Sequence, residues 1–133
     1  MTLVDSNVLL DVIQDDVRWA EWSSAQLAAA FDRGPVVINP IIFAEVALAF
    51  DNQAQLESYF RPSEYQRREL PWKAAMLAAK AFIRYRQRGG AKTSPLPDFY
   101  IGAQAQAENL TLLTRDIQRY RAYFPEVRLI SPN

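Results

Sequence analysis

Four acidic residues are spread along this 133-residue chain at positions that one α/β fold could bring together: Asp5, Glu45, Asp98 and Asp116. The chain has no histidine and no cysteine, which excludes the usual general base, the usual zinc ligands and every Ser–His or Cys–His pair. Clustered carboxylates repel one another and take up protons unless a cation neutralises them. Oxygen ligands alone suit Mg²⁺ or Mn²⁺, and such an ion activates water for attack on a phosphodiester. These residue types predict a nuclease, with a phosphatase or phosphotransferase as the close alternative.

Each acid also has a structural explanation. Asp is a favoured N-cap, so Asp5, Asp98 and Asp116 could each cap the helix that follows. Glu45 is different, because it is the only charged residue between Val36 and Phe50. A helix that is apolar nearly all round is a buried one, and a lone buried carboxylate must be paired, metal-bound or protonated. For Glu45 the structural alternative is a salt bridge to an arginine.

Short apolar runs alternate with segments of helical periodicity. We expect strands at 2–4, 36–38, 110–113 and 127–130, and helices at 8–13, 17–31, 40–50, 52–59, 71–86, 98–107 and 117–123. This alternation implies a parallel sheet covered on both faces, whose ligand site lies outside the carboxyl ends of the strands. Asp5 and Asp116 follow predicted strands and so fall at that edge. With no repeat and no linker-like stretch, we predict a single domain over residues 1–133.

The bulk composition narrows the class of protein. Half of the residues are hydrophobic and 23% are charged, which predicts a folded globular domain. No apolar run is long enough to span a bilayer, and the N-terminus lacks the basic region of a signal peptide. Because cysteine is absent, a cytoplasmic location is the default expectation.

Basic residues are concentrated in one part of the chain. Residues 61–92 hold nine basic residues and two acids, a net charge of +7, whereas the rest of the chain carries −7. Such a segment can follow a phosphate backbone, and its aromatic residues include Tyr65, Trp72 and Tyr85. Solvated helix faces, helical packing and dimer contacts are the alternatives.

Four short motifs resemble, in order, those of the PIN-domain nucleases, and in particular the VapC-type toxins of bacterial toxin–antitoxin pairs. They are Leu-Val-Asp-Ser-Asn-Val-Leu-Leu-Asp at 3–11, Ile-Asn-Pro-Ile-Ile-Phe-Ala-Glu-Val at 38–46, Pro-Asp-Phe-Tyr-Ile-Gly-Ala-Gln-Ala at 97–105, and Leu-Leu-Thr-Arg-Asp at 112–116, followed by Tyr-Arg-Ala-Tyr-Phe-Pro at 120–125. Together the motifs extend over essentially the whole chain.

The resemblance implies a fold and an activity. The fold would be a three-layer PIN-like α/β domain, with a mainly parallel sheet of four or five short strands flanked by helices. The activity would be that of an endoribonuclease dependent on Mg²⁺ or Mn²⁺. A homodimer and a cognate antitoxin that covers or disrupts the active site are also implied. The metal-binding and catalytic residues would be Asp5, Glu45, Asp98 and Asp116.

Further residues receive roles from the same resemblance. Ser6, Asn7 and Thr114 would orient the carboxylates or their waters, although all three also suit turns and caps. The aromatic-rich basic segment could line the RNA path or form the antitoxin groove. The RNA-binding candidates are Arg84, Arg86, Arg88, Lys92 and Arg115.

The chain departs from the family pattern at two places. Many relatives carry histidine where this chain has Gln104, so the chemistry must rest on the acids. No further acid closely follows Asp98, which leaves the number of bound ions open.

Two other classes of protein remain as alternatives. A haloacid-dehalogenase-like phosphotransfer domain would need a second Asp at position 7, where this chain has Asn7, and a receiver-like domain would need a Lys beyond the 110–113 strand, where only arginines follow. A PIN-like module that binds RNA or a protein without catalysis is the third possibility, although loss of activity usually shows as missing acids and all four are present.

Overall fold

The computed structural model describes residues 1–132 and shows a mixed α/β chain with a five-stranded parallel sheet. The strands are β1 (Thr2–Val4), β2 (Val36–Ile38), β3 (Tyr65–Arg67), β4 (Thr111–Leu113) and β5 (Leu129–Ile130), in the order β3-β2-β1-β4-β5. The helices of the described residues are α1 (Ser6–Ile13), α2 (Ala20–Arg33), α3 (Pro40–Ala47), α4 (Gln53–Tyr59), α5 (Trp72–Gln87), α6 (Pro97–Ala107) and α7 (Gln118–Tyr123). The predicted fold class is therefore confirmed.

The core lies on both faces of the sheet. β1 and β2 are buried at every position, and Leu112 and Leu113 of β4 are fully buried, as expected for central parallel strands. α5 turns Ala74, Ala78 and Ala81 inward, and these small side chains allow it to approach α6 closely. The central strands are thus enclosed on both faces, and their parallel pairing brings their carboxyl ends to one edge of the sheet.

Three elements of the structure differ from the prediction. β3 was not predicted, because this edge strand has one buried residue, Tyr65, and no apolar run. α2 begins at Ala20 instead of residue 17, since Asp16 Oδ1 accepts the backbone N–H groups of Arg18 and Trp19 and stabilises a turn there. α3 ends at Ala47 instead of residue 50. The other elements are confirmed, with ends that differ by at most two residues.

The burial predicted for α3 is wrong. Only Ile42 and Val46 of this helix are buried, Leu48 just beyond it is 90% exposed, and Glu45 is half-buried. Composition alone overstated the burial, because neighbouring elements cover a single i, i+4 stripe of the helix. Along residues 1–132, no helix combines the length and apolar character needed to cross a membrane.

Candidate active site

Two of the four acids follow adjacent strands. β1 and β4 are neighbours in the sheet, with Val4 opposite Leu113, and the Asp5 N–H donates to the Leu113 carbonyl at 2.9 Å. Asp116 lies three residues beyond the end of β4. Parallel strands end at one edge of a sheet, so Asp5 and Asp116 share that edge.

The other two acids approach from helices. Asp98 lies in the first turn of α6, and Glu45 on α3 accepts a hydrogen bond from Ser6 Oγ at 2.9 Å. The charges of Asp98 and Glu45 both raise the pKa of Asp5, and the charge of Asp116 raises that of Asp98. Each of the four carboxylates is therefore within electrostatic reach of at least one other.

Asp5 is the buried centre of this group, with 3% of its surface exposed. Its Oδ2 accepts hydrogen bonds from Tyr120 Oη at 2.8 Å, Thr114 Oγ1 at 2.9 Å and Asn7 Nδ2 at 3.4 Å. None of the hydrogen bonds found within residues 1–132 uses its Oδ1, yet no fully buried side-chain oxygen in that range lacks a partner. Oδ1 is therefore not fully buried, and the three donors all bind the other oxygen, Oδ2.

Two carboxyl groups of the cluster, those of Asp5 and Asp98, resist ionisation. Burial raises the pKa of Asp5 from the ordinary 3.8 to about 6, with contributions from the charges of Asp98 and Glu45, while hydrogen bonds from Tyr120 and Thr114 act in the opposite direction. Burial also raises the pKa of Asp98, against the effect of the Arg119 guanidinium. A cation bound among these groups would relieve both penalties.

Structural roles explain the four acids only in part. Asp5 occupies the N-cap position of α1 without a side-chain capping bond, and the N-cap residues of α6 and α7 are Leu96 and Ile117. Capping therefore does not explain Asp5 or Asp116, while Asp98 keeps a favourable place in the first turn of α6. Glu45 forms no salt bridge with any residue from 1 to 132; its partner is Ser6.

Ser6, Asn7 and Thr114 all contact the acids or their immediate backbone. Asn7 Nδ2 lies within 3.4 Å of both Asp5 Oδ2 and Thr114 Oγ1, and Asn7 Oδ1 accepts the Arg115 N–H at 3.2 Å. Thr114 Oγ1 also accepts the Asp116 N–H at 3.1 Å. These contacts connect the start of α1 to the loop that carries Asp116.

Two residues at this site were missed by sequence reasoning. Tyr120 is fully buried with its hydroxyl on Asp5; a tyrosine on the inner face of a short helix is a detectable signal, because a buried hydroxyl needs a partner. Arg119 places Nη1 3.5 Å from Asp98 Oδ2, with its guanidinium 5.6 Å from the Phe99 ring and 5.8 Å from the Tyr85 ring. Nothing in the sequence distinguishes Arg119 from a solvated helix residue.

The RNA-binding candidates fall into two groups. Arg115 is half-buried and donates Nε and Nη2 to the Asp11 carboxylate at 2.7 and 2.9 Å, which gives it a structural partner. The other four are exposed around the end of α5. There Arg84 donates to the Tyr123 carbonyl at 2.8 Å, and Arg88 lies 5.0 Å from the Tyr123 ring.

Gln104 is a packing residue in this chain. It is fully buried; its Oε1 accepts from Asn39 Nδ2 at 2.8 Å, and its Nε2 donates to the Glu69 carbonyl and to Glu108 Oε1. Because these bonds occupy the amide, Gln104 stabilises the contact between α6 and the segments that follow β2 and β3.

The donor set fits a hard divalent cation in chemistry, though not in its present arrangement. The four carboxylates offer oxygen atoms only, which suits Mg²⁺ or Mn²⁺, and the raised pKa values of Asp5 and Asp98 show that negative charge there is incompletely compensated. As arranged, no three acids among residues 1–132 form a complete set of metal ligands. Binding an ion therefore requires the acids to lie closer together than they do here.

The profile of the PIN domain matches residues 2–125. No curated protein sequence matches the chain.

Solved structures share the fold at low sequence identity. VapBC2 from Rickettsia felis bound to a promoter DNA fragment has a TM-score of 0.75 and 18% identity, covering 99% of this chain and 98% of that one. FitAcB from Neisseria gonorrhoeae has a TM-score of 0.69 and 21% identity, covering 98% and 96%. A toxin–antitoxin complex from Klebsiella pneumoniae has a TM-score of 0.65 and 24% identity, covering 100% and 98%.

Proposed function

The chain belongs to the PIN domain family, and from that premise we propose that it is a metal-dependent endoribonuclease, the toxin of a toxin–antitoxin pair. One observation carries the proposal: four carboxylates from separate elements, each within electrostatic reach of at least one other, gather near the carboxyl edge of the sheet in a chain without histidine or cysteine. The proposed metal-binding and catalytic residues are Asp5, Glu45, Asp98 and Asp116.

The proposed ion is Mg²⁺ or Mn²⁺, which when bound supplies a water of lowered pKa and neutralises charge on the phosphodiester. The residues of the chain prepare its site. Tyr120 and Thr114 hold Oδ2 of Asp5, so that Oδ1 remains free to act as a ligand. Ser6 orients Glu45 in the same way. Such outer contacts commonly change metal affinity or activity by about 10- to 100-fold when removed.

Cleavage of a labelled single-stranded RNA tests the proposal. We expect cleavage with Mg²⁺ or Mn²⁺, none in EDTA, and a loss of at least about 100-fold in Asp5→Ala and Asp116→Ala, because each removes an anionic ligand. Asp32→Ala is the matched control, since this substitution removes the same charge from an exposed position on α2. The proposal fails if the wild type cleaves no RNA with either metal, or if Asp5→Ala cleaves as well as the wild type.

We further propose that a cognate antitoxin covers this site. The solved structures that share the fold include toxin–antitoxin complexes, which supports such a partner here. Co-expression with the product of a neighbouring gene tests it: we expect a stable complex in which metal-dependent cleavage is suppressed. Cleavage that persists at full rate in a purified complex would contradict inhibition by this partner.

A homodimer is the proposed assembly of the chain itself. Trp72, Met76 and Ile83 of α5 are 92%, 61% and 55% exposed, and their i, i+4, i+11 spacing places them on one helix face. An apolar stripe of this kind marks an interaction surface. We expect light scattering to give a dimer mass that falls to a monomer in Met76→Glu and stays dimeric in Val17→Glu, which alters another exposed apolar residue. A monomeric wild type would contradict the assembly.

A further inference from the structure

A pocket of about 310 Å³ opens beside Asp116. Its lining residues are Tyr85, Asp116, Gln118, Arg119, Ala122 and Tyr123. A second cavity, of about 380 Å³, is lined by none of the four acids. Its wall includes Phe43, which projects from α3 about 200° around the helix from Glu45. The smaller pocket is therefore the one that shares a wall with the proposed catalytic group.

The lining combines the chemical groups that bind a nucleotide. The Tyr85 and Tyr123 rings lie 6.2 Å apart at 70° to each other, and aromatic rings are the usual stacking partners of unpaired bases. Arg119 supplies a cation that is two-thirds buried, and its contact with Asp98 at 3.5 Å is long for a charge-assisted hydrogen bond. A volume near 300 Å³ suits a small ligand.

Positive charge surrounds the same pocket. Arg88 lies 5.0 Å from the Tyr123 ring, and Arg84 donates to the Tyr123 carbonyl. With Arg119, these residues form a cationic rim next to the acidic edge of the sheet. Electrostatic attraction to this rim would direct a phosphate backbone from the basic end of α5 towards Asp116.

We propose that this pocket is a nucleotide subsite that binds the RNA nucleotide adjoining the scissile phosphate. The base packs against Tyr123 and Tyr85, and Arg119 contacts the phosphate between the pocket and the four acids. This inference rests on the proposed ribonuclease function and adds to it the residues that select and hold the substrate.

Binding measured without cleavage tests the subsite. A fluorescently labelled single-stranded RNA octamer is titrated with protein in EDTA, and its anisotropy gives the dissociation constant. We expect Tyr123→Ala and Arg119→Gln each to weaken binding by about 5- to 50-fold, as loss of one stacked base or one phosphate contact does. Tyr123→Phe keeps the ring and binds like the wild type. Arg121→Gln is the matched control, because it removes the same charge from the exposed side of α7, outside the pocket.

A change in the ligand provides a second measurement that can be made on the wild-type protein itself. An octamer with the same sugar–phosphate backbone but no bases should bind the wild type about as weakly as RNA binds Tyr123→Ala, and should bind both proteins equally. The slope of log Kd against log salt concentration should also decrease by about 1 in Arg119→Gln, because one phosphate contact is lost. Tyr123→Ala should leave that slope unchanged.

The outcomes separate the subsite from the proposed activity. The subsite is overturned if the wild type does not bind the octamer, if Arg121→Gln weakens binding as much as Arg119→Gln, or if the octamer without bases binds as tightly as RNA. Metal-dependent cleavage is scored separately on the wild type. Weakened binding in the pocket variants of a chain that cleaves no RNA would support the subsite and reject the ribonuclease, whereas unchanged binding in an active nuclease would reject the subsite alone.

Discussion

Tyr120 donates its hydroxyl to Oδ2 of Asp5 at 2.8 Å, although the two residues are 115 positions apart. Tyr120 is fully buried, and burial together with the Asp5 charge holds the pKa of its hydroxyl well above the ordinary value. The hydroxyl therefore stays protonated and acts as a permanent donor. Through this bond, the last helix of the chain fixes the carboxylate that follows its first strand.

Tyr120→Phe tests the importance of that bond. The phenyl ring fills the same space, but the ionised form of Asp5 loses a donor, so the pKa of Asp5 should rise further. We expect metal-dependent cleavage at pH 7 to fall about 10-fold and the midpoint of the pH–activity curve to move upward, with partial recovery at higher pH. Tyr100→Phe, which removes a half-buried hydroxyl outside the hydrogen bonds to Asp5, serves as the control. An unshifted pH profile in Tyr120→Phe would contradict the assigned role.

Asp5 should make the metal-free protein less stable as the pH rises. Its pKa is 3.8 when unperturbed and about 6 in the folded chain, so the folded state holds the proton more tightly than the unfolded state. The resulting stabilisation is present below about pH 4 and is lost as the pH rises through about 6, amounting to about 3 kcal/mol at most. In EDTA we expect Asp5→Asn to be more stable than the wild type at pH 7, by about 1–3 kcal/mol, and this difference to shrink towards pH 4.

Urea denaturation at several pH values measures this effect. Asp32→Asn is the control, because Asp32 is exposed and its carboxylate takes part in none of the side-chain hydrogen bonds found within residues 1–132. In the presence of Mn²⁺ the order should reverse, since a bound ion stabilises only the protein that retains the carboxylate. An Asp5→Asn protein that is less stable than the wild type in EDTA at pH 7 would show that the carboxylate is not destabilising there.

Strand ends were the part of the site that the sequence could predict. A short apolar run followed by an acid locates a carboxylate at the carboxyl edge of a parallel sheet, and Asp5 and Asp116 lie there. This inference needs only local patterns, because burial on both faces makes central strands continuously apolar. The edge strand β3 could not be predicted in this way, because its strand conformation depends on pairing with β2. One bond beside this pairing runs from the Arg68 N–H to the Ile38 carbonyl.

Contacts between segments that are distant along the chain could not be predicted from the sequence. The bond between Tyr120 and Asp5, like the position of Arg119 beside Asp98, depends on where α7 packs. Burial of α3 was overestimated for the same reason, since composition records how apolar a helix is and not which face its neighbours cover. Arg115 was grouped with the RNA-binding residues because its partner, Asp11, is 104 positions away.

Arg115→Gln should destabilise the fold more than it weakens RNA binding. Asp11 is 3% exposed and accepts two bonds from Arg115 and one from Ser23, so the substitution leaves a buried carboxylate with a single donor. We expect a loss of about 2–3 kcal/mol in the free energy of unfolding, below the usual range for a fully buried pair because Arg115 is 30% exposed. Asp11→Asn combined with Arg115→Gln should cost less than the sum of the two. A loss no larger than that of Arg121→Gln would indicate a surface ion pair.

Gly102→Ala should disturb the site through the core. A Cβ at position 102 would overlap the ring of Phe124, which is almost fully buried. Alanine favours a helix over glycine by about 1 kcal/mol, but overpacking costs about 1–3 kcal/mol, so we expect net destabilisation of about 1–2 kcal/mol by urea denaturation. Phe124 directly follows α7, which carries Tyr120, and a displaced ring should loosen the bond to Asp5 and lower cleavage as well.

Phe124→Leu makes room for the added methyl group, so the double variant should be more stable than the two separate losses predict. Additive losses would place the strain of Gly102→Ala elsewhere than at Phe124.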